Sequence, residues 1–234
     1  TALLATGAAI AGTILLLRWP PLRRKLWPRK FRIQRLFLFP VKSAGPVEVD
    51  ELHLDKHGFR YDRRWAVINK KNEVLTLRGC PKLVLVQPEV LPGPSPGLAL
   101  SAPGMPRIED CGPEAASWLR ECLGQECRLV YYPEEPTGVK WREMCKQAAW
   151  NDGSESRSVY FPGSTVGFAD SNAGTIISQA SLDALNRRLP SRLSIERFRM
   201  NIVLEGTDAH EEESWTSFGI GAMTFVMSRM CNRC

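Results

Sequence analysis

The apolar positions in the first half of this chain follow the pattern of short strands separated by turns. Residues 31–39 read as a strand that is apolar at Ile33 and from Leu36 to Phe39 and ends at Pro40, and largely alternating apolar positions follow over residues 47–54. Short runs of β-branched and aromatic residues indicate further strands. These predicted strands cover residues 63–69, 74–77, 83–86 and 98–100.

Two stretches show the period of an amphipathic helix. The first begins near Asp110, with Pro113 in its first turn, and the second covers residues 181–188 with Ser178 or Ser181 as N-cap. Strands are predicted around them at residues 128–132, 175–177, 200–204 and 222–227. Residues 133–163 are polar and without a period, which predicts a long loop or a disordered insert. The fold class that follows is α+β, a β-rich mixed body with a barrel-like core.

The N-terminus differs from the rest of the chain. Residues 2–17 carry no charge and consist mostly of Ala, Leu and Ile, and Arg18 and Trp19 follow them. A cleaved signal peptide has its basic residues before the apolar run, and here that order is reversed. We therefore expect a signal-anchor in the lipid bilayer at residues 1–19, a basic linker at 20–30 and a body facing the cytosol. The alternative is a buried apolar helix of a soluble domain.

The charge of the chain is unevenly distributed. The formal net charge is +6, but residues 1–35 hold eight basic residues and no acidic one, so the remainder has 23 basic against 25 acidic residues. The body therefore lacks the basic footprint of a nucleic-acid-binding protein, and no nucleic-acid partner is expected. Seven cysteines at uneven spacing, in a body that faces the cytosol, do not predict a disulfide framework.

Three short segments carry candidate binding chemistry. Lys42 and Ser43 lie in a turn after an apolar strand, where a cation and a hydroxyl suit an anion, although a plain surface loop is the simpler interpretation. Arg63 and the arginine after it open a strand, so one of them is expected to face inward, as a structural ion pair or as a ligand contact. Arg199 and Asn201 project to the same side of an extended chain, which suits a phosphate or a pterin-like ring.

The last six residues contain Cys231 and Cys234, interleaved with Arg229 and Arg233. Guanidinium groups stabilise a thiolate, the form of cysteine that binds metals. The pair suits half of a zinc site, a redox pair, a single metal-binding thiolate or two inert thiols. Structural zinc is disfavoured because no second Cys-x-x-Cys pair occurs, and a thioredoxin-type pair needs a following helix.

Four ordered motifs resemble those of one family, the mitochondrial amidoxime-reducing components, which are molybdenum-cofactor enzymes of the MOSC class. The similar motifs are Phe39-Pro40-Val41-Lys42-Ser43, Asp62-Arg63-Arg64-Trp65, Phe198-Arg199-Met200-Asn201 and Cys231-Asn232-Arg233-Cys234. The resemblance implies a MOSC N-terminal β-rich domain at residues 31–150 and a MOSC domain at residues 151–234. The N-terminal anchor with its basic flank is also similar to that of the family.

The resemblance also implies a site. Cys234 would be the catalytic residue and the protein ligand of molybdenum, and Asp170 and Ser171 would lie near the metal. The residues that would hold the pterin and its phosphate are Lys42, Ser43, Arg63, Arg199, Asn201, Asn232 and Arg233. The implied cofactor is the molybdenum cofactor, Mo-molybdopterin.

The activity implied by the resemblance is the two-electron reduction of N-hydroxylated compounds, such as amidoximes and hydroxylamines, to amidines or amines. Electrons would come from NADH through a flavoprotein reductase and a membrane-bound b-type cytochrome. The implied location is the mitochondrial outer membrane, crossed once, with the body in the cytosol.

Two departures from the family pattern modify this expectation. Met200 stands where the family usually has proline, and nothing follows Cys234 where the family continues. We therefore expect a truncated chain, and the alternative function is a non-catalytic, membrane-anchored isoform that binds the cofactor or a partner. A cofactor sulfurase shares the MOSC architecture but needs an additional desulfurase domain, for which 234 residues leave no room.

Overall fold

The structure, a computed structural model, describes residues 30–92, 97–109, 112–132, 167–170, 172–228 and 230–231. The predicted signal-anchor and nearly all of the basic linker lie outside these ranges, as does the predicted insert at residues 133–163. Within these ranges, no helix has both the length and the hydropathy that a membrane span requires.

The described elements are mostly short strands. In chain order the strands are β1 (Arg32–Leu38), β2 (Val47–Val49), β3 (Leu54–Asp55), β4 (Gly58–Phe59), β5 (Trp65–Asn69), β6 (Gln87–Leu91), β7 (Gly97–Ala102), β8 (Met105–Ile108), β9 (Cys127–Tyr131), β10 (Ile176–Ser178), β11 (Ile202–Glu205), β12 (Ser217–Ile220) and β13 (Met223–Val226). The helices are α1 (Pro113–Leu123) and α2 (Gln179–Asn186), with 3-10 helices η1 (Pro81–Leu85), η2 (Ile195–Phe198) and η3 (Glu211–Ser214). The β-rich α+β class is confirmed.

The strands form separate sheets. The largest has the order β10-β11-β1-β2, with β10 and β11 parallel and β1 and β2 antiparallel. Strands β6, β7 and β8 form an antiparallel meander, and β5 pairs antiparallel with β9. No sheet closes on itself within the described ranges, so the barrel-like core expected from the sequence is not found there. The four-stranded sheet joins strands from both predicted domains, whose boundary near residue 150 lies outside the described residues.

Two predicted strands are wrong. Residues 83–86 belong mainly to η1, because Pro81 at its start sets the backbone φ of a helical turn and leaves Val84 and Leu85 exposed. Residues 74–77 contribute only one isolated bridge, between Val74 and Ile68. The predicted run at 47–54 is divided into β2 and β3, and strands β4, β6, β8 and β12 were not predicted.

The larger apolar core lies between α1 and the strands around β5. Trp65, Leu119 and Leu129 are buried in it, and the indole nitrogen of Trp118 donates a hydrogen bond to the carbonyl of Pro106 at 2.6 Å. Helix α1 begins with the proline predicted from the sequence and ends at Gly124, whose φ of 72° suits a glycine C-cap. The helical apolar period was therefore a reliable signal here.

A buried polar cluster surrounds the start of α2. The hydroxyl of Ser178 accepts a hydrogen bond from the amide of Ser181 at 3.0 Å, which confirms Ser178 as the N-cap. One carboxylate oxygen of Glu212 accepts from the Ser178 amide at 2.9 Å and from the Ser181 hydroxyl at 2.7 Å. The negative charge of Glu212 thus lies at the helix N-terminus, where the helix dipole favours it.

The pKa of Cys127 predicts a loss of stability at alkaline pH. Burial, and secondarily the neighbouring Cys80, raise the pKa of Cys127 from its ordinary value of 9.0 to about 11. The folded state therefore holds this proton more tightly than the unfolded chain does, so this contribution is complete below pH 9 and is lost as the pH rises towards 11. We expect the free energy of unfolding, measured by urea titration, to fall over this interval and to fall less in Cys127→Ala. The same fall in both proteins would contradict this assignment.

Candidate functional site

Three loop segments that are distant in the sequence meet at the candidate site. Residues 40–44 follow β1, residues 61–64 precede β5, and residues 199–201 precede β11. The amide of Arg63 donates to the carbonyl of Phe39 at 2.8 Å, and the amide of Phe37 donates to the carbonyl of Asn201 at 2.8 Å. The end of β1 therefore holds the two arginine-bearing segments together.

Unusual backbone conformations are concentrated in these segments. Ser43 (φ 68°), Tyr61 (φ 68°), Arg63 (φ 50°) and Arg199 (φ 55°) all adopt the left-handed region. Non-glycine residues adopt this region at an energetic cost and tend to do so where a site requires a particular geometry. Arg63 accordingly lies in a turn before β5 and not on the strand predicted for residues 63–69.

Arg63 and Arg199 are held on one aromatic ring. The guanidinium carbon of each lies 4.5 Å from the centroid of the Phe39 ring, which is fully buried. Arg199 also donates to the carbonyl of Ala44. Cation–π contacts restrain both side chains, and a restrained guanidinium pair is suited to binding a phosphate or another compact anion.

Asp62 connects the parts of the site. One oxygen of its carboxylate accepts from the amide of Phe39 and from the side-chain amide of Asn201, each at 2.9 Å. The other oxygen forms an ion pair with Arg63. In the sequence, this aspartate stands out only as the neighbour of Arg63. Asp62 directly precedes two arginines that need an anionic partner when buried. This position in the sequence is the signal that could have identified Asp62 as the structural partner of an arginine.

Asn201 is fully buried, and its side-chain amide is occupied by protein groups. The nitrogen donates to Asp62 and to the carbonyl of Phe37, and the oxygen accepts from Arg63 at 3.1 Å and from the amide and hydroxyl of Thr175 at 3.1 and 3.2 Å. These hydrogen bonds use the donors and acceptors of a primary amide. They give Asn201 a positioning role, and its predicted contact with the pterin stays a prediction.

Arg64 faces inward as well, although only one arginine of the pair was expected to do so. Its side chain is 2% exposed and donates to the carbonyl of Tyr132 at 3.0 Å, to the Tyr131 hydroxyl at 3.2 Å and to Asp55 at 3.3 Å. Arg64 therefore holds the end of β9, while the side chain of Arg63 forms part of the candidate site. Both arginines precede β5, so the alternation of side chains along a strand does not apply to them.

Residues 167–170 bring a carboxylate to Lys42. The lysine ammonium donates to the carbonyl of Phe168 at 2.8 Å and forms an ion pair with Asp170. Gly167 packs against the backbone of Arg63, where an added Cβ would lie 2.5 Å from the carbonyl oxygen. The close passage of this segment brings Lys42, Arg63 and Asp170 near one another, and their predicted roles towards the cofactor stay predictions.

The remaining predicted site residues lie outside the described residues. They are Ser171, Asn232, Arg233 and Cys234. Cys231 is described and exposed. Among the described residues, no three histidine, cysteine or acidic side chains are grouped closely enough to bind a metal ion.

The described groups fit an anionic cofactor. Lys42, Arg63 and Arg199 bring three positive charges, against the two carboxylates of Asp62 and Asp170, and the side chain of Asp170 is 81% exposed. A surplus of restrained cations with little exposure to solvent favours an anion with several oxygen atoms, because such an anion replaces the lost hydration.

Comparisons with known proteins identify two domain families in the chain. Residues 30–110 match the MOSC N-terminal beta barrel domain, and residues 163–234 match the MOSC domain. These matches place the candidate residues before β5 in the first family and those before β11 in the second.

Relatives match the whole chain. It is 30% identical to mitochondrial amidoxime reducing component 2 of Rattus norvegicus, over all of this chain and 74% of the relative. It is 29% identical to mitochondrial amidoxime-reducing component 1 of Mus musculus, over all of this chain and 73% of the relative. A molybdenum cofactor sulfurase of Danio rerio is 28% identical over 86% of this chain but only 27% of the relative.

Proposed function

Because this chain belongs to the family of mitochondrial amidoxime-reducing components, we propose that it is a molybdenum-cofactor-dependent oxidoreductase that reduces N-hydroxylated compounds to amidines or amines. The observation that carries the proposal is the pair of guanidinium groups held on the buried ring of Phe39. This pair, together with Lys42, gives the chain a binding site suited to the phosphate of a pterin cofactor.

The residues divide into binding and positioning roles. Lys42, Arg63 and Arg199 bind the anionic part of the cofactor, and we assign Ser43, which adopts the left-handed region next to Lys42, to the same binding group. Cys234 supplies a thiolate to molybdenum, for which sulfur is a chemically suitable ligand. Ser171, Asn232 and Arg233 complete the binding residues. Asp62 and Asn201 act indirectly, because they fix the position of Arg63.

The reaction breaks the N–O bond of the substrate, takes up two electrons and two protons, and releases water. The bound cofactor supplies the two-electron redox chemistry. The Lys42–Asp170 ion pair lies at the site with its carboxylate exposed, and we assign Asp170 to the part of the site that would lie near the metal. Electrons come from NADH through a flavoprotein reductase and a membrane-bound b-type cytochrome.

We also propose a location. The curated relatives are named mitochondrial, and the apolar residues 2–17 followed by eight basic residues up to Arg35 suit an anchor in the outer mitochondrial membrane. The body then faces the cytosol.

Cys234→Ala tests the proposed function. The full chain, produced in a host that makes molybdenum cofactor, is expected to contain stoichiometric molybdenum and pterin and to reduce benzamidoxime with a reduced viologen dye as donor. Cys234→Ala should lose both the metal and the activity, because it removes the thiolate proposed as the protein ligand of the metal. Cys231→Ala is the matched control and should retain both. Wild-type chain that carries molybdenum but leaves the amidoxime unreduced would overturn the proposal.

A further inference from the structure

The loop that follows α2 concentrates positive charge on the surface. Residues 184–198 contain four arginines and one acidic residue, Glu196, which is paired with Arg35 at 2.9 Å. All four arginines are exposed: Arg187, Arg188, Arg192 and Arg197. Since residues 36–234 carry more acidic than basic residues overall, this excess of positive charge is local. We call residues 187–193 the arginine loop.

The arginine loop is held in one conformation by Asn186. The side chain of this buried residue donates to the carbonyl of Leu193 at 3.0 Å and accepts from the amide of Leu193 at 2.8 Å. The two hydrogen bonds join the ends of the loop, and Pro190 restricts its middle. A partner that binds here therefore meets arginines on an ordered loop, which reduces the entropic cost of association.

The topology places the arginine loop on the same edge of the sheet as the candidate site. Strands β10 and β11 are parallel and α2 connects them, so α2 runs back along the sheet and ends where both strands begin. Thr175 and Asn201 stand at that edge, directly before β10 and β11. Arg197 is exposed, and Arg199, two residues later, is buried in the candidate site.

Stabilisation of α2 explains the positions of only two of these four arginines. Arg187 and Arg188 follow the last turn of α2, where cations interact favourably with the helix dipole. Arg192 and Arg197 lie beyond the reach of that effect. In the described part of the chain, no carboxylate lies within ion-pair distance of Arg187, Arg188 or Arg197, and Arg192 lies 3.9 Å from Asp183.

The composition of this surface favours a protein partner. Surfaces that insert into lipid combine cations with exposed large apolar side chains. None of the large exposed hydrophobic residues among the described residues belongs to the arginine loop, where Leu189 and Leu193 are partly buried. Planar guanidinium forks match surface carboxylates with two parallel hydrogen bonds.

We propose that the arginine loop and Arg197 form the docking surface for the electron-donor protein of the reaction, recognised through a cluster of carboxylates on that protein. This inference rests on the proposed function. Docking at this edge brings the donor next to the segment that carries Arg199, and complementary charge accelerates the encounter.

The test compares two triple charge reversals in the full, cofactor-loaded chain. Arg187→Glu/Arg188→Glu/Arg192→Glu changes the arginine loop. The control, Lys70→Glu/Lys71→Glu/Arg78→Glu, makes the same change in net charge at exposed positions on the segment that follows β5. Binding to the soluble haem domain of an acidic b-type cytochrome is measured by titration at low and high salt. Viologen-driven amidoxime reduction reports the integrity of each variant.

The wild-type chain is expected to bind the haem domain and to lose affinity as salt rises. The loop variant should bind at least about tenfold more weakly and the control within about twofold of wild type, with viologen-driven activity unchanged in both. Equal binding by the loop variant and wild type would overturn the docking proposal. The docking proposal would also be overturned if the wild-type chain bound phosphatidylserine vesicles instead of the haem domain and the loop variant lost that vesicle binding. Absence of viologen-driven activity in wild type would overturn the proposed function instead, and the binding titration would still decide the docking surface.

Discussion

Asp62→Ala is expected to lower the free energy of unfolding by roughly 3–5 kcal/mol, because it removes one partner of a buried ion pair. The substitution leaves the amide of Phe39 and the side-chain nitrogen of Asn201 without the acceptor that each has at 2.9 Å. It also removes the carboxylate opposite Arg63, whose side chain is 11% exposed. Urea titration gives the free energy directly from the midpoint and slope.

A surface ion pair provides the control for Asp62. Glu89 pairs with Arg107 at 2.9 Å, and both side chains are well exposed. Glu89→Ala is expected to change the free energy of unfolding only slightly, because solvent screens exposed pairs. Asp62→Asn keeps an acceptor for the Phe39 amide and should cost less than alanine, while still weakening cofactor retention through Arg63. A cost for Asp62→Ala no larger than that for Glu89→Ala would contradict the role assigned to Asp62.

Trp65→Ala should be comparably damaging, with an expected loss of about 3–5 kcal/mol from cavity formation and lost burial. The indole is 1% exposed, and its ring centroid lies 5.0 Å from that of Tyr131, its cross-strand partner. The backbone of Trp65 also accepts from the amide of Lys42 at 2.8 Å. Loss of the indole is therefore expected to loosen the Lys42 turn as well as the core.

Two variants make the Trp65 experiment specific. Trp65→Phe keeps much of the apolar volume and should lose less stability than alanine. Leu85→Ala removes an apolar side chain that is 48% exposed, and its cost should stay within about 0.5 kcal/mol. A thermal or urea midpoint for Trp65→Ala close to that of Leu85→Ala would show that the core tolerates the cavity.

Elements with a strong local signal were predictable. Helix α1 combines a first-turn proline with a helical apolar period, and Ser178 caps α2 through its own side chain. Strand β1 ends in the consecutive apolar residues Leu36, Phe37 and Leu38, which are followed by Phe39 and the strand-ending Pro40. These signals act within a few residues, so they do not depend on the rest of the fold.

Short apolar runs were less informative. Residues 83–86 read as a strand but belong mainly to η1, since Pro81 at the first position of η1 favours a helical turn. Arg63 and Arg64 were placed on a strand, whereas the left-handed φ of Arg63 puts them in the turn before it. The backbone conformation of such a short run depends on the neighbours that pack against it, and the local sequence does not specify those neighbours.

The sequence by itself determined the class of the fold, the local excess of positive charge and the four ordered motifs that match one family. Only the tertiary structure decided how the motif residues act. Asp62 and Asn201 are 139 residues apart, yet their hydrogen bond fixes Arg63 beside Phe39 and occupies the amide that the sequence offered as a ligand contact. Likewise, the parallel pairing of β10 and β11 brings the arginine loop to the edge of the site. Both depend on which distant segments meet, and that is set by the packing of the whole chain rather than by any local pattern.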